Sequence, residues 1–333
     1  MRLLVTGGAG FIGSCYVRGL LSGEYGDVGD PLVTVLDKLT YAGNPDNLPT
    51  GDERLRFVRG DVTDERLVRR LLEGQDAVVH LAAESHVDRS IAGSAEFVRT
   101  NVLGTHTLLE QSLRAGVGTV VCVSTDEVYG SIPEGRWTEA SPPLPNSPYA
   151  ASKAGADLIA RSYHRTHGLD VRITRCSNNY GPRQHPEKLI PRFVTNLLTG
   201  RPVGLYGQGG NVREWLHVAD HCRAVHLVLT GGRPGEVYNI AGGVELTNRE
   251  VTERLLGLCG ADWSAVELVQ DRKGHDLRYA MDDSKIRREL GYAPRVGFDA
   301  GLGEVVDWYR ANPRWWRRAA EDSAASEAAA AGT

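Results

Sequence analysis

Residues 119–130 have the sequence TVVCVSTDEVYG, in which an apolar run is followed at once by polar side chains. The run 119–123 is typical of a buried strand in a parallel sheet. A hydroxyl and two adjacent carboxyls, on Thr125, Asp126 and Glu127, come directly after it. In open α/β sheets ligands bind at the carboxyl ends of the strands, and carboxylates are costly to desolvate without partners or a task. This stretch therefore predicts an active site at the end of a buried strand.

Strands and helices alternate on both sides of this stretch. Strand-like apolar segments lie at 2–6, 33–36, 55–58, 77–81 and 171–174, and helical segments lie at 11–21, 63–73, 101–115 and 149–167. Such alternation is typical of right-handed βαβ units, so we expect an α/β protein with a doubly wound parallel Rossmann sheet. Turn-rich sequence after residue 175 predicts a smaller mixed α/β C-terminal lobe that binds the substrate.

Composition excludes several classes of protein. The 333 residues are 41% hydrophobic and 24% charged, with a net charge of −4. Without a basic run or a long apolar segment, we expect neither nucleic acid nor a membrane as a partner. The N-terminus does not have the pattern of a signal peptide. The five cysteines are isolated, which predicts reduced thiols in the cytoplasm and no metal site.

A glycine-rich loop follows the first predicted strand. Gly7, Gly10 and Gly13 have the spacing G-x-x-G-x-x-G and precede the helix 11–21. Glycines allow a tight turn and close approach of a pyrophosphate to the helix N-terminus, so the loop predicts a dinucleotide site. An ordinary strand–turn–helix connection is the alternative, and the position at the start of a βαβ unit disfavours it.

Two acidic residues at the ends of the next strands extend the predicted dinucleotide site. Asp37 can accept hydrogen bonds from an adenosine ribose, which favours NAD over its 2′-phosphorylated form, although Lys38 follows directly. Asp61, next to Val62, can hydrogen-bond an adenine edge, and it could equally cap a turn.

Tyr149 and Lys153 are spaced i, i+4 and therefore share one face of a predicted helix. A lysine ammonium beside a phenol favours the phenolate, so we expect Lys153 to lower the pKa of Tyr149. Such a tyrosine can take a proton from a sugar hydroxyl while hydride leaves the carbon, and Thr125 can hydrogen-bond the same hydroxyl.

Oxidation by NAD needs only the tyrosine, the lysine and a hydroxyl. The two additional carboxyls of Asp126 and Glu127 therefore suggest a further acid–base step. A ketone acidifies the neighbouring C–H, so one carboxylate can remove that proton while a carboxylic acid donates to a departing hydroxyl. Neighbouring carboxyls in a closed site tend to have separated pKa values, which suits one acid and one base. Taken alone, the pair would more simply be explained as loop caps.

These motifs together resemble the extended short-chain dehydrogenase/reductase superfamily, and within it most closely the family of dTDP-glucose 4,6-dehydratases. The resemblance covers roughly residues 1–316. The matching segments are TGGAGFIGS at 6–14, D-x-LTYAGN at 37–44, LAAESHVDRSI at 81–91, STDEVYG at 124–130, PYAASKA at 148–154, RCSNNYGP at 175–182, PEKLIP at 186–191, NVREWLHVAD at 211–220 and DRKGHDLRY at 271–279. The Asp–Glu pair is a specific mark, because related epimerases usually have small residues there.

The resemblance implies an NAD-dependent hydro-lyase that converts dTDP-glucose to dTDP-4-keto-6-deoxyglucose in deoxysugar biosynthesis. Tyr149, with Lys153 and Thr125, would remove the C4 hydroxyl proton as hydride passes to NAD. Glu127 would take the C5 proton, and Asp126 would protonate the departing C6 hydroxyl. Hydride would then return to C6, so NAD would be tightly bound and regenerated in each turnover.

The resemblance also implies binding residues. The cofactor would contact Gly7, Gly10, Phe11, Ile12, Gly13, Asp37, Lys38, Asp61, Val62, Leu81, Ala83, Thr100, Tyr149, Lys153 and Asn179. The nucleotide-sugar substrate would contact Ser85, Thr125, Asn178, Lys188, Leu189, Tyr206, Arg213, Asn248 and His275. Arg213 suits a diphosphate because a guanidinium binds such oxygens in pairs.

The implied organisation has two lobes. We expect residues 1–175 with about 215–241 to form the NAD-binding domain, and residues 176–214 and 242–316 to form the nucleotide-sugar-binding lobe. Residues 317–333 are rich in Ala, Ser and Glu and predict a disordered tail. The family often forms homodimers through two helices, for which 101–115 and 149–167 are the candidates.

Three alternatives remain open. A 4-epimerase or a UDP-glucuronate decarboxylase would share NAD and the Tyr/Lys pair, but it would not need the acid and base at 126 and 127. A GDP-mannose 4,6-dehydratase fits the chemistry, although Asp37 argues against NADP. A non-catalytic NAD-binding regulator would keep the glycine loop and lose the catalytic side chains, which are all present here.

Overall fold

Twelve strands form three sheets in the computed structural model, which describes residues 1–26, 28–271, 274–317 and 319–320. The strands are β1 (Arg2–Thr6), β2 (Leu32–Asp37), β3 (Leu55–Arg59), β4 (Ala77–His80), β5 (Thr119–Thr125), β6 (Val171–Cys176), β7 (Asn178–Tyr180), β8 (Val203–Tyr206), β9 (Val212–His217), β10 (Val237–Ile240), β11 (Val244–Thr247) and β12 (Val266–Val269). The main sheet has seven parallel strands in the order β10-β6-β5-β4-β1-β2-β3. Its strand order reverses between β1 and β4, where open α/β sheets bind ligands.

Eleven α-helices surround these sheets in the described part of the chain. They are α1 (Phe11–Leu21), α2 (Glu65–Leu72), α3 (Val87–Ala92), α4 (Ala95–Phe97), α5 (Gly104–Ala115), α6 (Pro148–His167), α7 (Leu189–Leu198), α8 (Val218–Gly231), α9 (Asn248–Cys259), α10 (Ser284–Leu290) and α11 (Phe298–Ala311). A π-helical segment, Val98–Leu103, leads into α5.

The main sheet is covered on both faces, which is why its central strands are apolar along their whole length. One core combines α1 and α8 with the sheet through residues such as Val17 and Val225. The other core combines α2, α5 and α6 with the sheet through Val68, Leu108 and Ala160. This arrangement confirms the predicted doubly wound parallel sheet.

The smaller C-terminal part has its own core and mixed topology. In its three-stranded sheet β9 lies between β7, which is parallel to it, and β11, which is antiparallel. Strand β12 pairs in parallel with β8. Side chains of α7, α9 and α11, including Phe193, Leu255 and Leu302, form one core. The smaller mixed α/β lobe is therefore confirmed, while the predicted residue boundaries of the two lobes stay a prediction.

The chain remains ordered beyond the predicted start of the tail. Residues 313–317 are helical, and Ala320 is buried in the C-terminal core. The core therefore extends three residues past Arg317, where the sequence predicted disorder to begin. Residues 321–333 lie outside the described part. None of the described helices is long and apolar enough to cross a membrane.

Candidate active site

The polar residues after β5 lie on a single turn at the carboxyl edge of the main sheet. Residues Asp126–Tyr129 form a 3₁₀ turn that Thr125 caps, because its hydroxyl accepts a hydrogen bond from the Glu127 amide at 3.3 Å. The same hydroxyl donates to Oδ1 of Asp126 at 3.1 Å. The cap accounts for the tight clustering of Thr125, Asp126 and Glu127, since the turn begins where the strand ends.

Asp126 is buried and holds its proton unusually strongly. Its side chain is 3% exposed, and Oδ2 has no hydrogen-bond partner among the described residues. Burial raises the pKa of Asp126 well above its ordinary value, and the neighbouring Glu127 raises it further. A carboxyl that is protonated and directed at a cavity can act as an acid.

Tyr149 and Lys153 lie on the first turns of α6, close to the end of β5. Ser147 caps the helix by accepting a hydrogen bond from the Ala150 amide, and Pro148 occupies the first helical position. Lys153 Nζ donates to the carbonyl of Val123 at 2.8 Å. The helix start therefore determines where both side chains meet the strand end.

The expected lowering of the pKa of Tyr149 by Lys153 is wrong for this structure. Burial raises the pKa of Tyr149 well above its ordinary value, and the charge of Glu127 raises it further. Burial also lowers the pKa of Lys153, because it disfavours the ammonium form. The spacing of the pair predicted its position correctly, but not the electrostatic consequence of enclosing it beside two carboxyls.

The glycine loop approaches other backbone so closely that side chains would not fit. Gly7 has a φ of +69°, and a Cβ there would lie 2.6 Å from the Ala82 nitrogen. A Cβ at Gly13 would fall on the Gly7 carbonyl oxygen. Gly10 precedes α1 without a side-chain cap, so the N-terminal amides of α1 remain available to an anionic ligand.

Asp37 is held in place beside the glycine loop. Its carboxylate accepts hydrogen bonds from the amides of Ala9 at 2.9 Å and Leu39 at 2.8 Å. The ammonium group of Lys38 forms a 2.8 Å ion pair with Asp61, so its positive charge is already partnered and does not favour a 2′-phosphate beside Asp37. An acidic group at this position favours an unmodified ribose diol over a 2′-phosphate.

One cavity of about 310 Å³ joins the glycine loop to the end of β5. All the predicted catalytic and cofactor-binding residues line it, together with the predicted substrate residues Ser85, Asn178 and Lys188. Four further buried atoms of residues lining the cavity have no hydrogen-bond partner in the described part of the chain: Ser124 Oγ, Ser177 Oγ, Asn178 Oδ1 and Gln184 Oε1. Such polar atoms, with the glycine cradle, fit a dinucleotide and a polar substrate.

Five predicted substrate residues do not line that cavity: Leu189, Tyr206, Arg213, Asn248 and His275. Two of them contact each other, and two others are linked through the Asp276 carbonyl. The ring centroids of Tyr206 and His275 lie 6.0 Å apart. Arg213 donates to the Asp276 carbonyl at 2.9 Å, and Asn248 donates its backbone amide to Asn211, which in turn donates to the same Asp276 carbonyl.

This second cluster includes residues that the motifs did not single out. Tyr279 lies under the Arg213 guanidinium, 4.4 Å from ring centroid to Cζ, and donates to Asp276 Oδ2 at 2.5 Å. Burial raises the pKa of Tyr279, and Glu127 is the next cause, so the cluster adjoins the catalytic turn. Asp276 and Tyr279 occur in the segment DRKGHDLRY, which was the only signal in the sequence that could have found them.

Comparisons with known proteins agree with this geometry. The family model described as GDP-mannose 4,6 dehydratase matches residues 4–305. The dTDP-glucose 4,6-dehydratase of Streptomyces niveus is 61% identical over 318 residues, which is 95% of each chain. The crystal structure of DesIV, a dTDP-glucose 4,6-dehydratase from Streptomyces venezuelae with NAD and TYD bound, is 66% identical, with a TM-score of 0.95 over 96% of this chain and 100% of that one. A UDP-glucose 4-epimerase from Thermotoga maritima is 32% identical, with a TM-score of 0.86 over 93% of this chain and 99% of that one.

Proposed function

The chain belongs to the dTDP-glucose 4,6-dehydratases of the GDP-mannose 4,6 dehydratase family, and on that premise we propose that it converts dTDP-glucose to dTDP-4-keto-6-deoxyglucose and water. Its cofactor is NAD, which accepts a hydride and returns it when bound. The glycine loop and the uncapped α1 N-terminus would hold the pyrophosphate, and Asp37 would hold the adenosine ribose.

Tyr149 and Thr125 bind and deprotonate the C4 hydroxyl of the sugar. Both line the cavity, and a side-chain hydrogen bond between Thr125 and Tyr149 lowers the pKa of the Tyr149 phenol in part, against the larger effect of burial. Thr125 orients the sugar hydroxyl, and Tyr149 takes its proton. Lys153 lies one helical turn beyond Tyr149 on α6, and its amine is held by the Val123 carbonyl.

The burial of Asp126 is the main observation that supports the proposed elimination of water. Loss of the C6 hydroxyl needs an acid at that oxygen and a base at the C5 proton. Burial beside Glu127 raises the pKa of Asp126 and so favours its protonated form, which suits it to supply the acid. Glu127, on the same turn and lining the same cavity, supplies the base. A 4-epimerase needs neither group.

The second cluster binds the nucleotide part of the substrate. Arg213 contacts the diphosphate, and Tyr206 with His275 lies against the base. Asn248 Oδ1 is buried without a hydrogen-bond partner among the described residues and is available to this ligand. Leu189 begins α7 directly after Lys188, which lines the main cavity, so the start of this helix would lie near the sugar.

Mass spectrometry of the product tests the function. The purified protein is given dTDP-glucose without added NAD, and we expect loss of one water per sugar with no net NADH. A product of unchanged mass with inverted C4 would instead identify an epimerase. Bound NAD with no conversion of dTDP-, UDP- or GDP-sugars would identify a regulator.

A cytoplasmic homodimer is part of the proposal. The segment Val98–Leu103 and helix α6 pack beside each other, and three of their apolar side chains are about half exposed: Val98 at 53%, Leu103 at 50% and Leu158 at 56%. Burial of such side chains against a second copy would remove them from water. Across the described chain all five cysteines are free thiols, which supports a reducing compartment.

A further inference from the structure

We propose that Trp315, near the C-terminus, is a positioning residue for the cofactor, acting on the glycine loop through Asn47. The inference rests on the proposed binding of NAD at that loop. Trp315 Nε1 donates a hydrogen bond to Asn47 Oδ1 at 2.9 Å, although 268 positions separate the two residues. Asn47 Nδ2 in turn donates to the carbonyl of Ala9 at 3.0 Å.

The indole N–H determines the orientation of the Asn47 amide. An indole nitrogen can only donate, and the Ala9 carbonyl can only accept. Only one of the two amide orientations therefore satisfies both neighbours, with Oδ1 towards Trp315 and Nδ2 towards Ala9. Asn47 is 2% exposed, so water cannot replace a missing partner, and a flipped amide would place two oxygens together.

Ala9 lies in the middle of the glycine loop, and its peptide groups hold the parts of the loop that would meet NAD. Its carbonyl also accepts from the Asn44 amide at 3.0 Å, and its own amide donates to Asp37 Oδ2. Arg18 of α1 donates to the Asn47 carbonyl at 2.8 Å. Asn47 thus links the loop, the ribose-binding carboxylate and the helix behind the pyrophosphate.

Trp315 is anchored in the C-terminal core rather than in the cofactor domain. Its ring packs edge-on against Trp308 of α11, with centroids 4.9 Å apart, and lies near Tyr309. The hydrogen bond to Asn47 therefore connects the core of the smaller lobe with the cofactor loop. Loss of that bond should loosen the loop without removing any group that contacts NAD.

The test compares Trp315→Phe with Trp316→Phe. Each substitution removes one indole N–H and keeps an aromatic ring, but Trp316 donates to the Tyr309 carbonyl at 2.8 Å, away from the loop. We expect Trp315→Phe to weaken NAD binding on the order of tenfold and to speed its release, because a buried acceptor loses its partner. Trp316→Phe should bind NAD within about twofold of wild type. Calorimetry measures the NAD affinity of both variants, and a chase experiment measures the rate of NAD release. Thermal melting of the NAD-free proteins distinguishes a specific effect on NAD binding from a general loss of stability.

A double-mutant cycle with Asn47→Ala tests the route. If Trp315 acts through Asn47, Trp315→Phe will have no further effect on NAD affinity in the Asn47→Ala protein. Asn47→Asp keeps the acceptor for the indole and loses the donor to Ala9, so it should weaken NAD binding with Trp315 intact. Equal NAD affinity of Asn47→Asp and wild type, or equal effects of Trp315→Phe in both backgrounds, would overturn the inference. A wild-type protein that binds no NAD would overturn the proposed function itself.

Discussion

At the scale of single residues, the active site places a carboxyl where it is costly for the fold. Asp126 is buried, Oδ2 has no partner within the described chain, and Glu127 is its neighbour. A carboxyl whose folded pKa is raised favours folding only while it is protonated, so its contribution to stability is lost as the pH rises through that pKa. This cost to stability fits the proposed role of Asp126 as the acid.

Substitution of Asp126 should therefore separate activity from stability. We expect Asp126→Asn to lower dehydration about 100- to 10,000-fold, since the acid is lost. At neutral pH the variant should unfold at a higher temperature than wild type, and this advantage should shrink as the pH falls towards the ordinary Asp value of 3.8. Product mass and thermal melts at several pH values measure the two effects.

Glu127→Gln is the companion variant that tests the proposed base. It should also block dehydration, while C4 oxidation continues and the absorbance of bound reduced cofactor grows. Retention of NAD should match wild type in both variants, because neither residue belongs to the glycine loop. Full dehydratase activity in both would show that the acid and base are assigned wrongly.

At the scale of elements, the site is built from the N-termini of one 3₁₀ turn and two α-helices. Thr125 begins a 3₁₀ turn, Ser147 begins α6, and Gly10 precedes α1 with its amides uncapped by a side chain. Each start is encoded locally by a capping residue or a glycine. The parallel sheet then brings the three starts to one edge, because β1 and β5 both pair with β4.

The glycine loop predicts a specific result for a single added methyl group. Gly13→Ala should weaken NAD binding at least tenfold and destabilise the protein by about 1–3 kcal/mol, because its Cβ would overlap the Gly7 carbonyl. Gly303→Ala in α11 is the control, since a Cβ there meets nothing within 4 Å. The control should bind NAD normally and gain roughly 0.4–1 kcal/mol. Calorimetric titration and denaturant melts compare the two, and unchanged NAD affinity in Gly13→Ala would remove the glycine loop from the cofactor site.

At the scale of the whole molecule, the sheet and the smaller lobe enclose separate parts of the proposed substrate site. The main cavity contains the proposed catalytic residues, whereas Arg213, Tyr206 and His275 belong to the second cluster. The half-exposed side chains on Val98–Leu103 and α6 leave a further surface for a second copy of the chain. Leu103 and Leu158 do not line the main cavity, so substitutions there can test assembly without removing a residue of the proposed site.

The proposed homodimer should dissociate when charges are placed on that surface. We expect Leu103→Glu with Leu158→Glu to give a monomer in light scattering, because two buried carboxylates per subunit would oppose the contact. Leu268→Glu on β12 is the control, since Leu268 is as exposed as Leu158, at 56%, and lies on another element. A dimeric double variant, or a monomeric wild type, would contradict the proposed interface.

Local patterns in the sequence predicted most of the fold. The helix at residues 11–21 and the strand at 2–6 were predicted with the bounds of α1 and β1. The doubly wound sheet, the smaller lobe, NAD and the dehydratase family are confirmed, whereas the role of each site residue stays a prediction. These successes share one cause, since strand alternation, glycine spacing and capping residues act over a few neighbouring positions.

The sequence by itself determined the first six strands of the main sheet and the helices between them, the glycine loop, and the presence of a hydroxyl, two carboxyls, a tyrosine and a lysine at one edge of the sheet. The tertiary structure alone decided that the pKa of Tyr149 is raised, that Lys38 pairs with Asp61, and that Trp315 reaches Asn47. The physical reason is that burial and charge proximity depend on which distant segments pack together. No local pattern carries that information, because it arises only when the sheet, its helices and the smaller lobe enclose a common space.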